Sequence, residues 1–276
     1  MSKTIFVTGA ATGIGLATVS RFAAAGWNVV ATTRREGSLP DHLDHPNIVP
    51  LTMDVTLPDQ VATAVEQAVA AFGRIDVVVN NAGVGEFGLF EGISDEKLRR
   101  SFDINMFGVM TVMKAVLPHF RARQSGIFVN ISSTGGRVGM PGMSAYLATK
   151  FALEGFSEAV WYELASQGVA VKLVEPGGVE TPFLGKIGET RRDNGVPADY
   201  ADFVQHNDAV MAKLAWQRST PEEIADVVFT AATDGSSRLR YFAGPGVAHL
   251  VKARTSMDDE AYETFMRTEF QALSKL

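Results

Sequence analysis

Short apolar runs rich in β-branched residues alternate along the chain with longer stretches that carry apolar residues at helical spacing. Runs of this length, bounded by glycine, proline or asparagine, are typical of strands buried on both faces. We predict strands at residues 3–8, 28–33, 48–53, 75–80, 126–131 and 169–174, with a last strand near Tyr241. Because helix-length segments separate the strands, the pattern predicts an α/β fold, a doubly wound parallel sheet in a single domain over residues 1–276.

The predicted helices follow from apolar spacing and from residues that begin or end helices. They start at Leu16 and Thr220 and occupy residues 58–72, 95–121, 144–165 and 257–273. The helices at 95–121 and 144–165 are apolar on more than one face, which favours burial or contact with another subunit. We therefore expect a homo-oligomer, a dimer or a tetramer. Asn105 lies within such an apolar face, so its amide must find partners.

Residues 183–219 are more polar, contain several glycines and carry scattered apolar side chains. These apolar residues are Tyr200, Phe203, Met211 and Trp216. A long segment of this kind beside a predicted site favours a lobe that covers the substrate, in the manner of a lid.

The composition of the chain excludes several classes of partner and of catalytic chemistry. The net charge is −6 and the pI is near 5.4, which argues against a nucleic-acid partner. The chain has no cysteine, so disulfides, thiol catalysis and cysteine-bound zinc are excluded. Its five histidines show no helical ligand spacing, and we expect no metal.

No apolar run approaches the roughly 18 residues that a membrane span needs. The first strand begins by Thr4, so we expect neither a signal peptide nor a membrane association. The chain ends in Ser274, Lys275 and Leu276, a tripeptide that matches a peroxisomal address. We expect a cytoplasmic location, with the peroxisome as the alternative.

A glycine-rich turn follows the first strand and opens a helix. Gly9, Gly13 and Gly15 allow a tight turn and close backbone approach, while amides at the helix start favour a pyrophosphate. This arrangement is typical of a Rossmann-like dinucleotide site. The second strand ends at Arg34 and Arg35 where an NAD site would have a carboxylate. Because arginine binds phosphate through its planar fork, the pair favours the 2′-phosphate of NADP(H) over NAD(H).

Several polar residues follow other predicted strands directly. Asp54, Asn81 and Ser133 each come at a strand end, and parallel strands place these ends at one edge of the sheet. Tyr146 and Lys150 lie four residues apart and share one face of a helix. A nearby ammonium favours phenolate, so we expect Lys150 to lower the pKa of Tyr146 and make it a general acid or base.

With these residues assembled, the sequence resembles the classical short-chain dehydrogenase/reductase family over residues 3–250. The matching elements, in family order, are Thr8-Gly9-x3-Gly13-Ile14-Gly15, Asn80-Asn81-Ala82-Gly83, Asn105, Ser133, Tyr146-x3-Lys150 and Pro176-Gly177 through Thr181.

The resemblance implies a catalytic set of Asn105, Ser133, Tyr146 and Lys150. Tyr146 would exchange a proton with the substrate oxygen, and Ser133 would position that oxygen, with Ser132 as the alternative. Lys150 would lower the pKa of the tyrosine and hold the nicotinamide ribose. Asn105 would hold a relay water, and its alternative is a satisfied structural amide.

For the cofactor, the resemblance implies contacts along the whole crevice. The phosphate turn and 2′-phosphate site would use Gly9, Thr12, Gly13, Ile14, Gly15, Arg34 and Arg35. The adenosine would contact Asp54, Val55, Asn81, Ala82 and Gly83. The nicotinamide end would use Tyr146, Lys150, Pro176, Gly177, Val179 and Thr181.

The expected substrate is a hydrophobic small molecule, a ketone, aldehyde or secondary alcohol of steroid- or lipid-like character. Apolar residues at 84–90, at 140–143 and at Phe183 suggest a hydrophobic pocket wall, and no charge is obviously placed to bind a carboxylate or phosphate. One alternative is an NADP(H)-sensing binding protein without catalysis, which would more typically lack Tyr146 or Lys150. Another is an epimerase or dehydratase on the same scaffold.

Overall fold

The computed structural model describes residues 2–213, 218–244 and 248–270. In these residues, seven strands form a single parallel sheet in the order β3-β2-β1-β4-β5-β6-β7. The strands are β1 Thr4–Thr8, β2 Asn28–Thr33, β3 Ile48–Thr52, β4 Val77–Asn80, β5 Gly126–Ile131, β6 Val169–Pro176 and β7 Arg240–Ala243. The predicted doubly wound sheet and single domain are confirmed, although β4 begins at Val77 rather than residue 75.

The first strand lies in the middle of the sheet. Ile5 of β1 pairs with Val29 of β2 on one side and with Val77 of β4 on the other. The strand order therefore reverses direction between β1 and β4, which opens a crevice at the carboxyl ends of these strands. Every predicted polar strand end lies at that edge.

Helices cover both faces of the sheet. They are α1 Gly13–Ala24, α2 Pro58–Phe72, α3 Asp95–Phe102, α4 Gly108–Arg123, α5 Ser144–Ala165, α6 Pro182–Asp193, α7 Ala201–Lys213, α8 Pro221–Thr233, α9 Ala248–Ser256 and α10 Asp259–Phe270. Helices α1 and α8 bury Phe22 and Ile224 against one face, whereas α2, α4 and α5 bury Val61, Val112 and Leu153 against the other.

Local sequence explains where α8 begins. The Thr220 hydroxyl accepts the Glu223 amide, and the Glu223 carboxylate accepts the Thr220 amide, forming a capping box. Pro221 occupies the first turn, where its missing N–H costs nothing. The predicted start of this helix is confirmed.

The prediction of one continuous helix at 95–121 is wrong in one respect. It consists of α3, a π-helical turn at Asp103–Phe107, and α4, which continues to Arg123. Such π-turns often occur at functional sites. Here the turn contains Asn105, whose side chain bonds to two other segments, as described below.

Two further segments contain helices that were not predicted. The region predicted as a polar lobe at 183–219 contains α6 and α7, and Trp216 lies outside the described residues. The chain end predicted as a single helix at 257–273 contains α10, and α9 precedes it without a clear apolar stripe in the sequence. In the described residues, no helix is long and apolar enough to span a membrane.

Candidate active site

A crevice of about 480 Å³ opens at the carboxyl ends of β1, β2, β4, β5 and β6. We call the part around Gly9, Gly13 and Arg34 the glycine end. We call the part around Phe87, Tyr146 and Phe183 the aromatic end. The predicted residues that line the crevice are Gly9, Thr12, Gly13, Ile14, Arg34, Asp54, Val55, Asn81, Ala82, Gly83, Ser133, Tyr146, Lys150, Pro176, Gly177, Val179 and Thr181. Gly15, Arg35 and Asn105 lie outside this lining.

Hydrogen bonds of the Thr8 hydroxyl and the Asn81 side chain join the ends of β1 and β4 at the glycine end. The Thr8 hydroxyl accepts the Asn81 and Ala82 amides, both at 3.0 Å, and the Asn81 side chain donates to the Thr8 carbonyl at 2.9 Å. Gly9 has φ of +67°, and a Cβ there would lie 2.8 Å from the Ala82 Cα. Only glycine permits this approach.

Gly15 supports the same turn from inside helix α1. A Cβ at Gly15 would overlap the Gly9 carbonyl oxygen and the Asn81 side chain. Its role is therefore to let the helix pack against the turn. Thr12 occupies the N-cap position of α1 but makes no side-chain cap bond, so the amides that begin the helix remain open toward the crevice.

The two arginines after β2 differ in position. Arg34 lines the crevice, whereas Arg35 does not. The backbone carbonyl of Arg35 accepts a hydrogen bond from the Thr33 hydroxyl at 2.7 Å, which fixes the turn that presents Arg34. Among the described residues, the Arg34 guanidinium has no carboxylate partner, as is suitable for an anion binder.

Tyr146 lies in the first turn of α5 and is 8% exposed. Its ring packs against Phe87 and Phe183, with centroid separations of 5.4 and 5.5 Å. Burial raises the pKa of Tyr146 to about 12, while a hydrogen bond from Ser133 acts in the opposite direction. The phenol is therefore protonated at neutral pH, the form that can donate a proton.

Lys150 lies one helical turn further along α5 and is 7% exposed. Its ammonium donates to the Ile131 carbonyl at 2.8 Å and lies 5.8 Å from the centroid of the Tyr146 ring. Burial lowers the pKa of Lys150 to about 8, and the negative charge of Glu154 opposes that shift. The expectation that Lys150 lowers the pKa of Tyr146 is wrong for the chain by itself, because desolvation of the phenol dominates.

The two candidate serines lie in different environments. Ser133 is half-buried, interacts with the Tyr146 phenol, and accepts the Gly135 amide at 3.0 Å. Ser132 is 3% exposed, and its buried hydroxyl has no partner among the described residues. Only Ser133 is therefore placed to act together with the phenol.

Asn105 connects two walls of the site. Its oxygen accepts the Val84 amide at 2.8 Å, and its amide donates to the Val84 carbonyl at 2.8 Å and to the Thr149 hydroxyl at 3.0 Å. Thr149 in turn donates to the Tyr146 carbonyl at 2.7 Å. The side chain is thus satisfied by protein and fixes the loop after β4 against α5, while the relay-water role remains a prediction.

An ion-pair cluster lies behind Lys150. Arg240 at the start of β7 pairs with Glu154 at 3.0 Å and with Glu175 at 3.4 Å, and Arg137 pairs with Glu175 at 3.2 Å. Both carboxylates are almost fully buried. Buried charges of this kind persist only when paired, so the cluster joins β6 and β7 to α5, the helix that carries Tyr146 and Lys150.

Part of the predicted pocket wall is present at the aromatic end. Val84, Phe87, Met140, Met143 and Phe183 line the crevice, as expected. Phe90 is instead 67% exposed, and Tyr200 and Phe203 lie outside this lining.

Two cations at the crevice were missed by the sequence analysis. Lys186 and Arg218 line it, and neither side chain has an acidic partner among the described residues. Lys186 lies on α6 at the spacing of Phe183, which could have indicated it once α6 was recognised as a helix.

A network at the C-terminus of α6 holds the aromatic end together. Asn194 is 8% exposed and donates to the Glu86 carboxylate and to the Phe87 carbonyl, both at 2.7 Å. Its oxygen accepts the Lys97 ammonium at 2.6 Å. One side chain therefore joins α6, α3 and the loop that carries Phe87.

Comparisons with known proteins agree with this architecture. The short chain dehydrogenase family model matches residues 3–192. The chain is 32% identical over 266 residues to the 3-ketodihydrosphingosine reductase of Bacteroides thetaiotaomicron, covering 95% of this chain and 96% of that protein.

Solved structures show the same fold. A short-chain dehydrogenase from Streptomyces avermitilis has a TM-score of 0.79 at 33% identity, covering 97% of this chain and 98% of that one. The structure of ElxO with NADP bound has a TM-score of 0.73 at 26% identity, covering 88% and 98%. Since the family model spans well over half of the sequence, the chain belongs to the short-chain dehydrogenase family of oxidoreductases, which bind a nicotinamide cofactor.

Proposed function

We propose that this protein transfers hydride between NADP(H) and a hydrophobic carbonyl compound or secondary alcohol. One observation carries the proposal. The Tyr146 phenol, the Ser133 hydroxyl and the Lys150 ammonium meet at one end of a crevice, and the Arg34 guanidinium lines its other end.

The glycine end fits a dinucleotide phosphate. At Gly9 the turn leaves no room for a Cβ, so the backbone can approach a ligand closely. The first amides of α1 lie beside this turn and make no side-chain cap bond. The adenosine would rest against Asp54, Val55 and Asn81. Arg34 would bind a 2′-phosphate through its guanidinium fork, which supports a preference for NADP(H) over NAD(H).

The bound nicotinamide would supply hydride chemistry, and the chain would supply orientation and proton transfer. Tyr146 would donate its phenolic proton to the substrate oxygen in reduction, and Ser133 would hold that oxygen. Lys150 would hold a ribose hydroxyl and replenish the proton from its ammonium. Burial raises the pKa of Tyr146 to about 12, so the phenol carries the proton that this step would transfer.

The aromatic end supports a hydrophobic substrate. Tyr146 lies between Phe87 and Phe183, and Met140 and Met143 complete the wall. Such a surface binds apolar groups through the hydrophobic effect, because binding removes apolar surface from water. Methionine side chains adapt to ligands of irregular shape. Helices α6 and α7 would form the substrate-covering lobe predicted at 183–219.

A homo-oligomer, dimer or tetramer, forms part of the proposal. Phe107 beside α4 and Phe151 and Tyr162 on α5 expose 55%, 45% and 67% of their surface. Exposed aromatics on neighbouring elements favour contact with another copy. Light scattering coupled to size-exclusion chromatography would measure the mass. A cytoplasmic location likewise remains a prediction, to be tested by imaging the chain with and without residues 274–276.

The function is tested by a substrate screen that follows NADPH oxidation, with NADH in parallel. Bulky hydrophobic ketones and aldehydes should turn over faster than small polar ones. Tyr146→Phe should lower kcat by about 10²–10⁴-fold, because it removes the proton donor. Tyr262→Phe changes a tyrosine on α10, outside the crevice lining, and should retain wild-type turnover.

Turnover that survives Tyr146→Phe would contradict the assigned acid. NADPH binding without any turnover, in either direction of reaction, would favour the sensing alternative instead.

A further inference from the structure

The crevice differs in charge from the chain as a whole. The chain has a net charge of −6, yet the described charged residues that line the crevice are four cations and one carboxylate. The cations are Arg34, Lys150, Lys186 and Arg218, and the carboxylate is Asp54. A cleft lined mainly by one sign of charge attracts ligands of the opposite sign. The crevice is therefore suited to anionic groups.

Three of the cations lie beside groups that the cofactor would contact. Arg34 lies at the glycine end, and Lys150 lies one turn after the candidate proton donor. Arg218 precedes Ser219, whose amide donates to the Gly178 carbonyl at 2.9 Å. Gly178 belongs to the segment after β6 that is expected to contact the nicotinamide end of the cofactor. The cofactor therefore accounts for these three cations.

The fourth cation, Lys186, lies on α6 at the aromatic end. It follows Phe183 by three residues, so both side chains project from one face of the helix, about 4.5 Å apart along its axis. The Phe183 ring lies 5.5 Å from the Tyr146 ring. Lys186 is exposed and also lines the crevice. Its ammonium is therefore placed where the aromatic end meets solvent.

Lys186 has no acidic partner among the described residues. Glu189, one turn further along α6, does not pair with it. Its neighbours on the crevice wall, Phe183, Leu184 and Ile187, are apolar. A lone ammonium at the edge of an apolar wall is suited to a ligand that is apolar along its length and anionic at one end.

We propose that Lys186 determines substrate specificity by binding the carboxylate end of an aliphatic keto acid or hydroxy acid. The inference rests on the proposed function and names the substrate class of the same site. The carbonyl or hydroxyl group lies at Tyr146, the apolar chain lies against Phe87 and Phe183, and the carboxylate lies at Lys186. The carboxylate stays near solvent, so little desolvation opposes its binding.

Calorimetric titration of the full chain, saturated with NADP⁺, tests the inference. The ligands are straight-chain acids of five, seven and nine carbons, with a methyl ketone at the end opposite the carboxylate. Each acid is compared with its methyl ester, which keeps the chain and removes the charge. Oxidised cofactor has no hydride to give to a ketone, so binding is measured without turnover. At the length that reaches from Tyr146 to Lys186, the acid should bind about 3–10-fold more tightly than its ester.

Three variants assign the preference to one side chain. Lys186→Met keeps the apolar stem and removes the ammonium, so it should abolish the preference for the acid and leave the affinity for the ester unchanged. Lys186→Arg should retain the preference. Arg192→Met removes the same charge from another exposed position on α6, outside the crevice lining, and should behave as wild type.

The inference would be overturned if no acid bound, or if each ester bound wild type as tightly as its acid. A preference for the acid that persists in Lys186→Met would also overturn it. If Lys186→Met instead weakened NADP⁺ binding and kept the preference, the ammonium would belong to the cofactor pyrophosphate. Failure of the proposed function gives a different result. The preference and its loss in Lys186→Met would then both be observed, while wild type reduced none of these ketones with NADPH.

Discussion

The two ends of the crevice are built from different parts of the chain. At the glycine end, hydrogen bonds of the Thr8 hydroxyl and the Asn81 side chain join the ends of β1 and β4, and the backbone around Gly9 and Gly15 leaves no room for a Cβ. At the aromatic end, side chains from separate segments form the wall, and a single residue, Asn194, fixes the loop that carries Phe87 against α3. We therefore expect the glycine end to tolerate almost no substitution. The aromatic end should change its specificity while keeping the fold.

The largest effects should come from glycine substitutions, and their sign should depend on whether the glycine is tightly packed, as at Gly15, or open, as at Gly185 on α6. Gly15→Ala forces a Cβ into the Gly9 carbonyl oxygen, so it should lower the free energy of unfolding by about 1–3 kcal/mol and weaken NADPH binding. Gly185→Ala, in α6, meets no atom within 4 Å and should raise the free energy of unfolding by about 0.5–1 kcal/mol. Urea titration measures both, and a Gly15→Ala protein as stable as wild type would contradict the comparison.

A second test compares how two cations that line the crevice, Arg34 and Lys186, affect the binding of each cofactor. Arg34→Ala should weaken NADPH binding about 10–100-fold and NADH binding much less, because only NADPH carries the 2′-phosphate. Lys186→Ala should affect both cofactors equally. Fluorescence titration with each cofactor gives the ratio of affinities. Equal losses for the two cofactors in Arg34→Ala would show that this guanidinium does not bind the 2′-phosphate.

The third test removes the Asn194 side chain, which links α3 to the loop that carries Phe87 at the aromatic end. Asn194→Ala leaves the buried Glu86 carboxylate without its amide donor, which should cost about 1–3 kcal/mol of stability. It should raise KM for a ketone severalfold while the affinity for NADPH stays the same, because the glycine end is untouched. Asp193→Ala, at the neighbouring exposed position, is the control. A change confined to NADPH affinity would show that the two ends are coupled.

The smallest effect concerns pH. Burial holds the pKa of Lys150 near 8, below its ordinary value, and the carboxylate of Glu154 keeps it from falling further. If activity needs the ammonium, it should fall as the pH rises through this pKa. Glu154→Gln removes the attraction, so the pKa should fall and the loss of activity should begin at lower pH.

The control for this test is Glu158→Gln, because Glu158 pairs with the same Arg240 but is half exposed. Profiles of kcat/KM against pH for both variants make the comparison. An identical profile in Glu154→Gln and wild type would show that Glu154 does not act on Lys150.

The sequence predicted most of the fold because its signals are local. The apolar strands, the glycine turn and the α8 capping box each depend on a few neighbouring residues. The π-helical turn was missed because its Asn105 side chain bonds to Val84 and Thr149. Both residues are distant from Asn105 in the sequence, so no local pattern indicates these contacts. Helix α6 was missed because Gly185 and Gly188 lower its propensity.

The candidate site was predicted unevenly for the same reason. Residues with a motif, such as Gly9, Tyr146 and Lys150, were found in the crevice. Lys186 and Arg218 were missed because they carry no motif. The direction of the pKa shift of Tyr146 was also wrong, because it depends on burial by Phe87 and Phe183, which no spacing reveals.

The central position of β1 has a consequence for how the chain folds. Its neighbour β4 follows about seventy residues later, with Ile5 beside Val77. During synthesis the first strand can pair with β2 early, but its other edge stays open until β4 emerges from the ribosome. Pairings of such long sequence separation form slowly, and an open apolar strand is prone to associate with other chains. The nascent chain therefore passes through a stage, before β4 has emerged, in which its buried first strand is only half covered.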